Sequence, residues 1–111
     1  MQRFASFREF WPFYVSEHAQ PGTRILHFIG STLVLASVAT AAVTGNGWFL
    51  VGAPVAGYGF AWVGHFFVEK NRPATFKYPF YSFAADWVMY AKIVSGQMGE
   101  EVRAHARPTA T

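Results

Sequence analysis

The run ILHFIGSTLVLASVATAAV (residues 25–43), the turn TGNG (44–47) and the run WFLVGAPVAGYGFAWVGHFFV (48–68) decide how this chain folds. Between Arg24 and Glu69 there is no Asp, Glu, Lys or Arg, and the only side chains that titrate near neutrality are His27 and His65. The first run, helical at 1.5 Å per residue, spans roughly 28 Å, close to the hydrocarbon thickness of a bilayer. The second run is long enough as well, with Pro54 either kinking it or marking where its helix begins. The short uncharged turn closes the two into an antiparallel hairpin. His27 lies two residues into the first span and His65 three residues before the second ends, so the hairpin sets both about 3–5 Å below the same interface.

Composition agrees with a membrane location. The 111 residues are 52% hydrophobic and only 14% charged, about half the charged share of a soluble domain, and suffice for one helical module. With no cysteine, thiol catalysis, disulfides and iron–sulfur ligation are excluded, which leaves histidine and carboxylate to carry any chemistry. The net charge of +3 comes from residues flanking apolar segments, a pattern suited to anionic headgroups and not to nucleic acid. Arg24 precedes the first span and Lys70, Arg72 and Lys77 follow the second, while the turn is uncharged, so both hairpin ends are expected in the cytoplasm. The first apolar run begins only at Ile25, after Glu9 and Glu17, so no cleaved signal peptide is expected.

Outside the hairpin, Phe4, Phe7, Trp11, Tyr14 and His18 recur at helical spacing and predict an interfacial helix with its aromatics turned to lipid, or two short turns joined at Pro12. Gln20-Pro21-Gly22-Thr23 predicts a turn with Thr23 as the next helix's N-cap. Residues 79–94 predict a short third helix, half sunk in the interface or crossing at a tilt. The expected fold is therefore all-α: a helical integral membrane protein with a two-span hairpin, an N-terminal interfacial helix and a short third helix. Residues 1–98 are read as the membrane domain and 99–111 as a loose polar tail with a solvated His105.

Ala53, Gly57, Ala61, His65 and Glu69 follow one another at i+4 steps, a small-residue stripe expected to face the partner helix and to carry His65 inward. His18, across the turn, is placed to fold over His27 and His65. Three histidines beside Glu17, Glu69 or Asp86 would form a mixed nitrogen and oxygen site suited to iron or zinc. The alternative is that they only bond neighbouring helices. Asp86 has a competing role as an ion-pair partner of Lys77, Lys92 or Arg24, and Glu69 as partner of Arg72 at i+3. Phe60, Trp62, Phe66 and Phe67 are candidate walls of an acyl channel.

The strings Tyr14-Val15-Ser16-Glu17-His18, Leu26-His27-Phe28-Ile29-Gly30 and Gly57 through Thr75 (GYGFAWVGHFFVEKNRPAT), continued by Phe76-Lys77-Tyr78-Pro79 and by Asp86-Trp87 with Met89, resemble the Mpo1-like family. The resemblance runs from Phe4 to Met98. It departs at Gln20-Pro21 and Gly22-Thr23-Arg24, where an Asn-Pro pair and a further Asn before the arginine are expected. The family's characterised yeast member is an endoplasmic-reticulum membrane enzyme, an iron(II)-dependent dioxygenase that shortens a 2-hydroxy fatty acid by one carbon in phytosphingosine breakdown. The resemblance implies Fe(II) held by His18, His27 and His65. It matches Glu69 and Asp86 to motif positions too, so Glu69 is an expected further ligand and Asp86 joins the three histidines in the expected catalytic set. Arg24, Lys70 and Arg72 are expected to counter the substrate carboxylate. The expected partners are a 2-hydroxy fatty acid, dioxygen and membrane lipid, and the short, bacterial type of chain points to an inner membrane or an endoplasmic-reticulum type. The rival readings are a non-enzymatic membrane module, with structural or lipid- or metal-sensing histidines, and a zinc-dependent lipid hydrolase.

Overall fold

A computed structural model describes residues 4–105, and every described element is helical. Helix α1 spans Phe7–Ser16, α2 Pro21–Thr44 and α3 Trp48–Val63; a π-helical turn, Gly64–Glu69, continues α3. A 3-10 turn, Ala74–Phe76, then leads to α4, Pro79–Val94, and α5, Met98–His105.

The hairpin forms from α2 and α3. Pro21 sits in the first turn of α2, where its missing N–H is no loss and its fixed φ favours the helix. This makes Gln20 the N-cap position in place of the expected Thr23, whose buried hydroxyl lies 3.5 Å from the Gly64 carbonyl oxygen instead. Gly45 stops α2 in the left-handed region (φ 72°), its N–H donating to the Ala41 carbonyl. Asn46 then accepts from the N–H of Trp48 and opens α3, which passes through Pro54 without a new start. Thr23, His27, Gly30, Val34, Ser37 and Ala41 turn inward at steps of four and three, the seam of a left-handed helix pair. Against it lie Ala53, Ala61 and His65, all buried, as the i+4 stripe predicts. The approach is close enough to require glycine: a Cβ on Gly30 would stand 3.0 Å from Phe60 Cβ and 3.2 Å from the Ala56 and Gly57 carbonyl oxygens.

Above one end of the hairpin sits an aromatic cap. Phe10, Tyr14 and Val15 of α1 are buried with Ala74, Ala85, Met89 and Met98, and Phe4, Phe7, Trp11, Tyr78 and Tyr81 close around them. The aromatic stripe of α1 thus faces protein and not lipid, because α4 and α5 offer it an apolar surface to cover. Nor does Pro12 divide α1. The carbonyl deprived of a partner belongs to Arg8, on the exposed side. A second correction concerns the tail. Residues 98–105 are helical: Met98 is buried, Glu101 accepts from the Trp11 indole N–H (2.8 Å) and pairs with Lys92 (3.1 Å), and His105 reaches Glu101 at 3.6 Å. Residues 106–111 of the expected tail lie outside the described residues.

Two helical stretches, Pro21–Thr44 and Trp48–Glu69, are long and apolar enough to cross a membrane. Away from the cap they leave Leu33, Leu35, Val38, Val43, Leu50 and Val55 exposed.

Candidate metal centre

The site lies where hairpin and cap meet. His18 follows α1, His27 occupies the second turn of α2 and His65 belongs to the π-helical turn. All three are buried, at 1%, 6% and 2% exposure. His18 Nε2 is 3.1 Å from His27 Nε2, which is 3.4 Å from His65 Nε2, and the three ligand atoms fall within 4.8 Å of one another.

What the nitrogens can do follows from their outer partners. His18 Nδ1 meets the Tyr14 carbonyl oxygen at 2.7 Å; a carbonyl has no proton to give, so Nδ1 donates. His65 Nδ1 meets Asn71 Oδ1 at 2.8 Å, and the Asn71 amide is oriented by its Nδ2 donating to the Glu17 carbonyl (3.2 Å), so here too Nδ1 donates. His27 Nδ1 faces Asp86 Oδ1 at 3.8 Å, which favours the proton on that side. Burial, then the neighbouring His27 and His65, hold the His18 imidazole well below the usual histidine range, so it stays neutral. The Nε2 atoms of His18 and His65 therefore both turn lone pairs toward His27 Nε2, and a proton on that nitrogen could serve only one of them. Such a group is costly in a buried site unless a cation joins it. Two of the three separations fit a shared metal, since bonds of 2.0–2.1 Å separate adjacent ligand nitrogens by ~2.8–3.4 Å for angles between square and tetrahedral.

Local backbone builds this geometry. The π-helical turn widens α3 just where His65 must point inward, a distortion common at functional sites. Lys70 then takes φ 64°, the only positive φ outside glycine among the described residues, and both its N–H and that of Asn71 return to the His65 carbonyl. This reversal tucks Asn71 beneath the ring it orients. Tyr14 stacks on His18 with centroids 4.0 Å apart and donates its hydroxyl to Asp86 Oδ1 at 2.5 Å, tying α1 to α4 over the site. Burial pushes the Asp86 carboxyl up to about 7, with the Tyr14 hydroxyl pulling the other way.

The remaining expected residues go elsewhere. Arg24 Nη1 donates to the His18 and Ala19 carbonyls, and Lys92 pairs with Glu101, so neither serves Asp86. Glu69 stands apart from the trio and accepts from the Gln20 backbone N–H, fastening the loop after α1 to the end of the hairpin. Lys70 and Arg72 are exposed. The sequence reading missed Tyr14 and Asn71 as orienting residues. Tyr14 stands one helical turn before His18, a legible signal, whereas Asn71 depends on the π turn and the left-handed Lys70, which no spacing rule anticipates.

Two cavities adjoin the centre. One, of about 10 Å³, is lined by the three histidines, Tyr14 and Asp86 together with Trp62 and Ser82. The other, of about 250 Å³, runs from His27 and Asp86 down between α3 and α4, past Ser31, Ala61 and Gly57 to Val34 and Ala53. Phe83 and Trp87 wall its α4 side, in place of the expected Phe60, Phe66 and Phe67.

Comparison with curated proteins found no match, and comparison with solved structures found none. A family model described as 2-hydroxy-palmitic acid dioxygenase Mpo1-like matches residues 4–98, a span that contains all three histidines with Tyr14, Asn71 and Asp86 around them, and the chain belongs to the Mpo1-like family.

Proposed function

We propose that this chain is a membrane-embedded, iron(II)-dependent dioxygenase that shortens 2-hydroxy fatty acids by one carbon. The single observation that carries the reading is the convergence of three buried imidazole Nε2 atoms, two of them on rings whose Nδ1 donates to a fixed oxygen. The family description supplies the substrate class. Iron(II) held by His18, His27 and His65 would supply open coordination positions and the electrons that activate dioxygen. The overall conversion balances without a reductant: one 2-hydroxy acid and one dioxygen give an acid shorter by one carbon, carbon dioxide and water. Four electrons leave the substrate and four reduce the oxygen.

The chain's own residues orient and enclose. The Tyr14 carbonyl and Asn71 hold the His18 and His65 imidazoles in one tautomer, the usual outer support of metal-bound histidine, and Asp86 faces His27 Nδ1 at 3.8 Å. Glu69 acts through the backbone of the loop that carries His18. Lys70 and Arg72, with Arg24, keep this end of the hairpin basic and on the cytoplasmic side, where they favour the approach of an anionic amphiphile. The large cavity takes the hydrocarbon tail. From Ala61 to Ala53 it follows two turns of α3, ~12 Å, which accommodates about ten methylene groups of an extended chain.

Membrane embedding rests on the exposed apolar faces. Only 17% and 22% of the apolar windows of the two long helical stretches are buried within the chain, whereas a core helix of a soluble protein would be mostly buried.

Metal analysis of protein purified in mild detergent tests the proposal. About one iron per chain, lost in His65→Ala, with oxygen uptake on adding 2-hydroxypalmitate, is the expected result. Stoichiometric zinc would favour hydrolysis, since three histidines also suit that metal. No metal after anaerobic iron reconstitution would defeat both.

A further inference from the structure

Two buried polar atoms have no hydrogen-bond partner among the described residues: the indole Nε1 of Trp62 and the hydroxyl Oγ of Ser82. They come from different helices, α3 and α4, yet both side chains line the small cavity beside the three histidines. Ser82 is 2% exposed. Native proteins rarely leave such atoms unpaired, so their joint placement calls for a partner. An indole N–H can only donate, and a hydroxyl can donate as well, so the partner that serves both is an acceptor. The cavity, about 10 Å³, admits one water-sized atom. It shares His27, Tyr58, Ala61 and Asp86 with the larger cavity, so a carboxylate oxygen placed there leaves the rest of its acid at the mouth of the larger space.

We propose that Trp62 and Ser82 form a neutral carboxylate subsite: the indole N–H and the hydroxyl donate to one carboxylate oxygen of a long-chain 2-hydroxy acid. This rests on the reading of the chain as a lipid dioxygenase. Neutral donors suit the position. A buried lysine or arginine would carry a desolvation cost of its own, whereas a fixed dipole holds an anion without adding a charge. The cations nearest in sequence are absent from both cavity walls, and Arg24 is engaged with backbone carbonyls.

Isothermal titration of the metal-loaded, detergent-solubilised chain with 2-hydroxypalmitate under anaerobic conditions, where no turnover occurs, tests the subsite. Trp62→Phe and Ser82→Ala should each weaken the acid about tenfold, as loss of a hydrogen bond to a charged group does. Both should retain metal, and binding of the hexadecane-1,2-diol, which has no carboxylate, should change less than about threefold. Ser82→Ala removes a single oxygen from a packed helix and is the deciding variant. Acid affinity within about twofold of the unaltered chain in Ser82→Ala would overturn the subsite and assign the cavity to a buried water. If the unaltered chain bound the diol as tightly as the acid, the carboxylate assignment would fall. If it bound neither, the dioxygenase reading would fall with it.

Discussion

Asn71 shows how much of this centre depends on single side chains that touch no metal. It accepts the His65 Nδ1 proton at 2.8 Å and is itself fixed by the Glu17 carbonyl, so it sets both tautomer and ring plane. Replacing it by Ala leaves His65 free to rotate or to place its proton on Nε2. Metal affinity should fall about 10- to 100-fold in Asn71→Ala with helix content unchanged, because outer partners of metal-bound histidines carry effects of that size. Equilibrium dialysis against a buffered metal series would measure it, and unchanged affinity would remove Asn71 from the site. Asn71→Asp keeps the acceptor and should retain most of the affinity. Tyr14 works differently, since its backbone carbonyl orients His18 while its hydroxyl holds Asp86. Only the second role can be removed by mutation, so Tyr14→Phe separates the two.

At the scale of elements, the arrangement that matters is that α3 and α4 both pack against α2 without packing along each other. A helix pair closed by glycine contacts on one side therefore stands open on the other, and that opening is the tail cavity. Its far end is set by Val34 and Ala53. A larger side chain at Ala53 should shorten the space without touching the histidines. Ala53→Phe is expected to move the preferred substrate about four carbons shorter, because a phenyl ring occupies ~5 Å of an extended chain's length, while metal content stays that of the unaltered chain. Competition among 2-hydroxy acids of graded length, read by chromatography of the shortened products, would show this. An unaltered length profile would place the tail elsewhere. The expected acyl wall of Phe60, Phe66 and Phe67 fails for a related reason: Phe66 and Phe67 project outward from the π turn and are 43% and 73% exposed.

For the whole molecule, the metal-free chain should carry a pH signature made of opposing contributions. His18 is held below its ordinary value, so between the folded and unfolded pKa the unfolded chain binds more protons; its stabilising contribution is full above about pH 6.5 and falls on acidification. Asp86 is raised from 3.8 to about 7, so the folded chain retains a proton that the unfolded chain releases; its contribution is full below 3.8 and is lost as pH rises to about 7. The two oppose each other between these limits. In Asp86→Asn the opposing carboxyl contribution is gone while that of His18 stays, and thermal stability of the apo-protein should climb more steeply between pH 5 and pH 6.5, by up to about 1.4 kcal/mol per pH unit for the one proton removed. Equal slopes in the two proteins would show that Asp86 titrates near its ordinary value. A bound cation would itself favour the charged carboxylate, so the difference should shrink when metal is restored.

The sequence by itself determined the hairpin, the short third helix and the trio of histidines. Those readings rest on hydrophobic run length, on glycine and proline punctuation and on antiparallel depth, all of which are local or one-dimensional quantities. Tertiary structure alone decided that the aromatic face of α1 is a protein core, because that depends on whether α4 and α5 cover it. It decided likewise that residues 98–105 form a docked helix and that Glu69 fastens a loop. It also brought Tyr14, Asn71, Trp62 and Ser82 to the histidines. Those four come from α1, α3, the loop after the π-helical turn and α4, and the placement of Asn71 depends on one widened helical turn and one left-handed residue, whose effect on direction exceeds anything that spacing along the chain encodes.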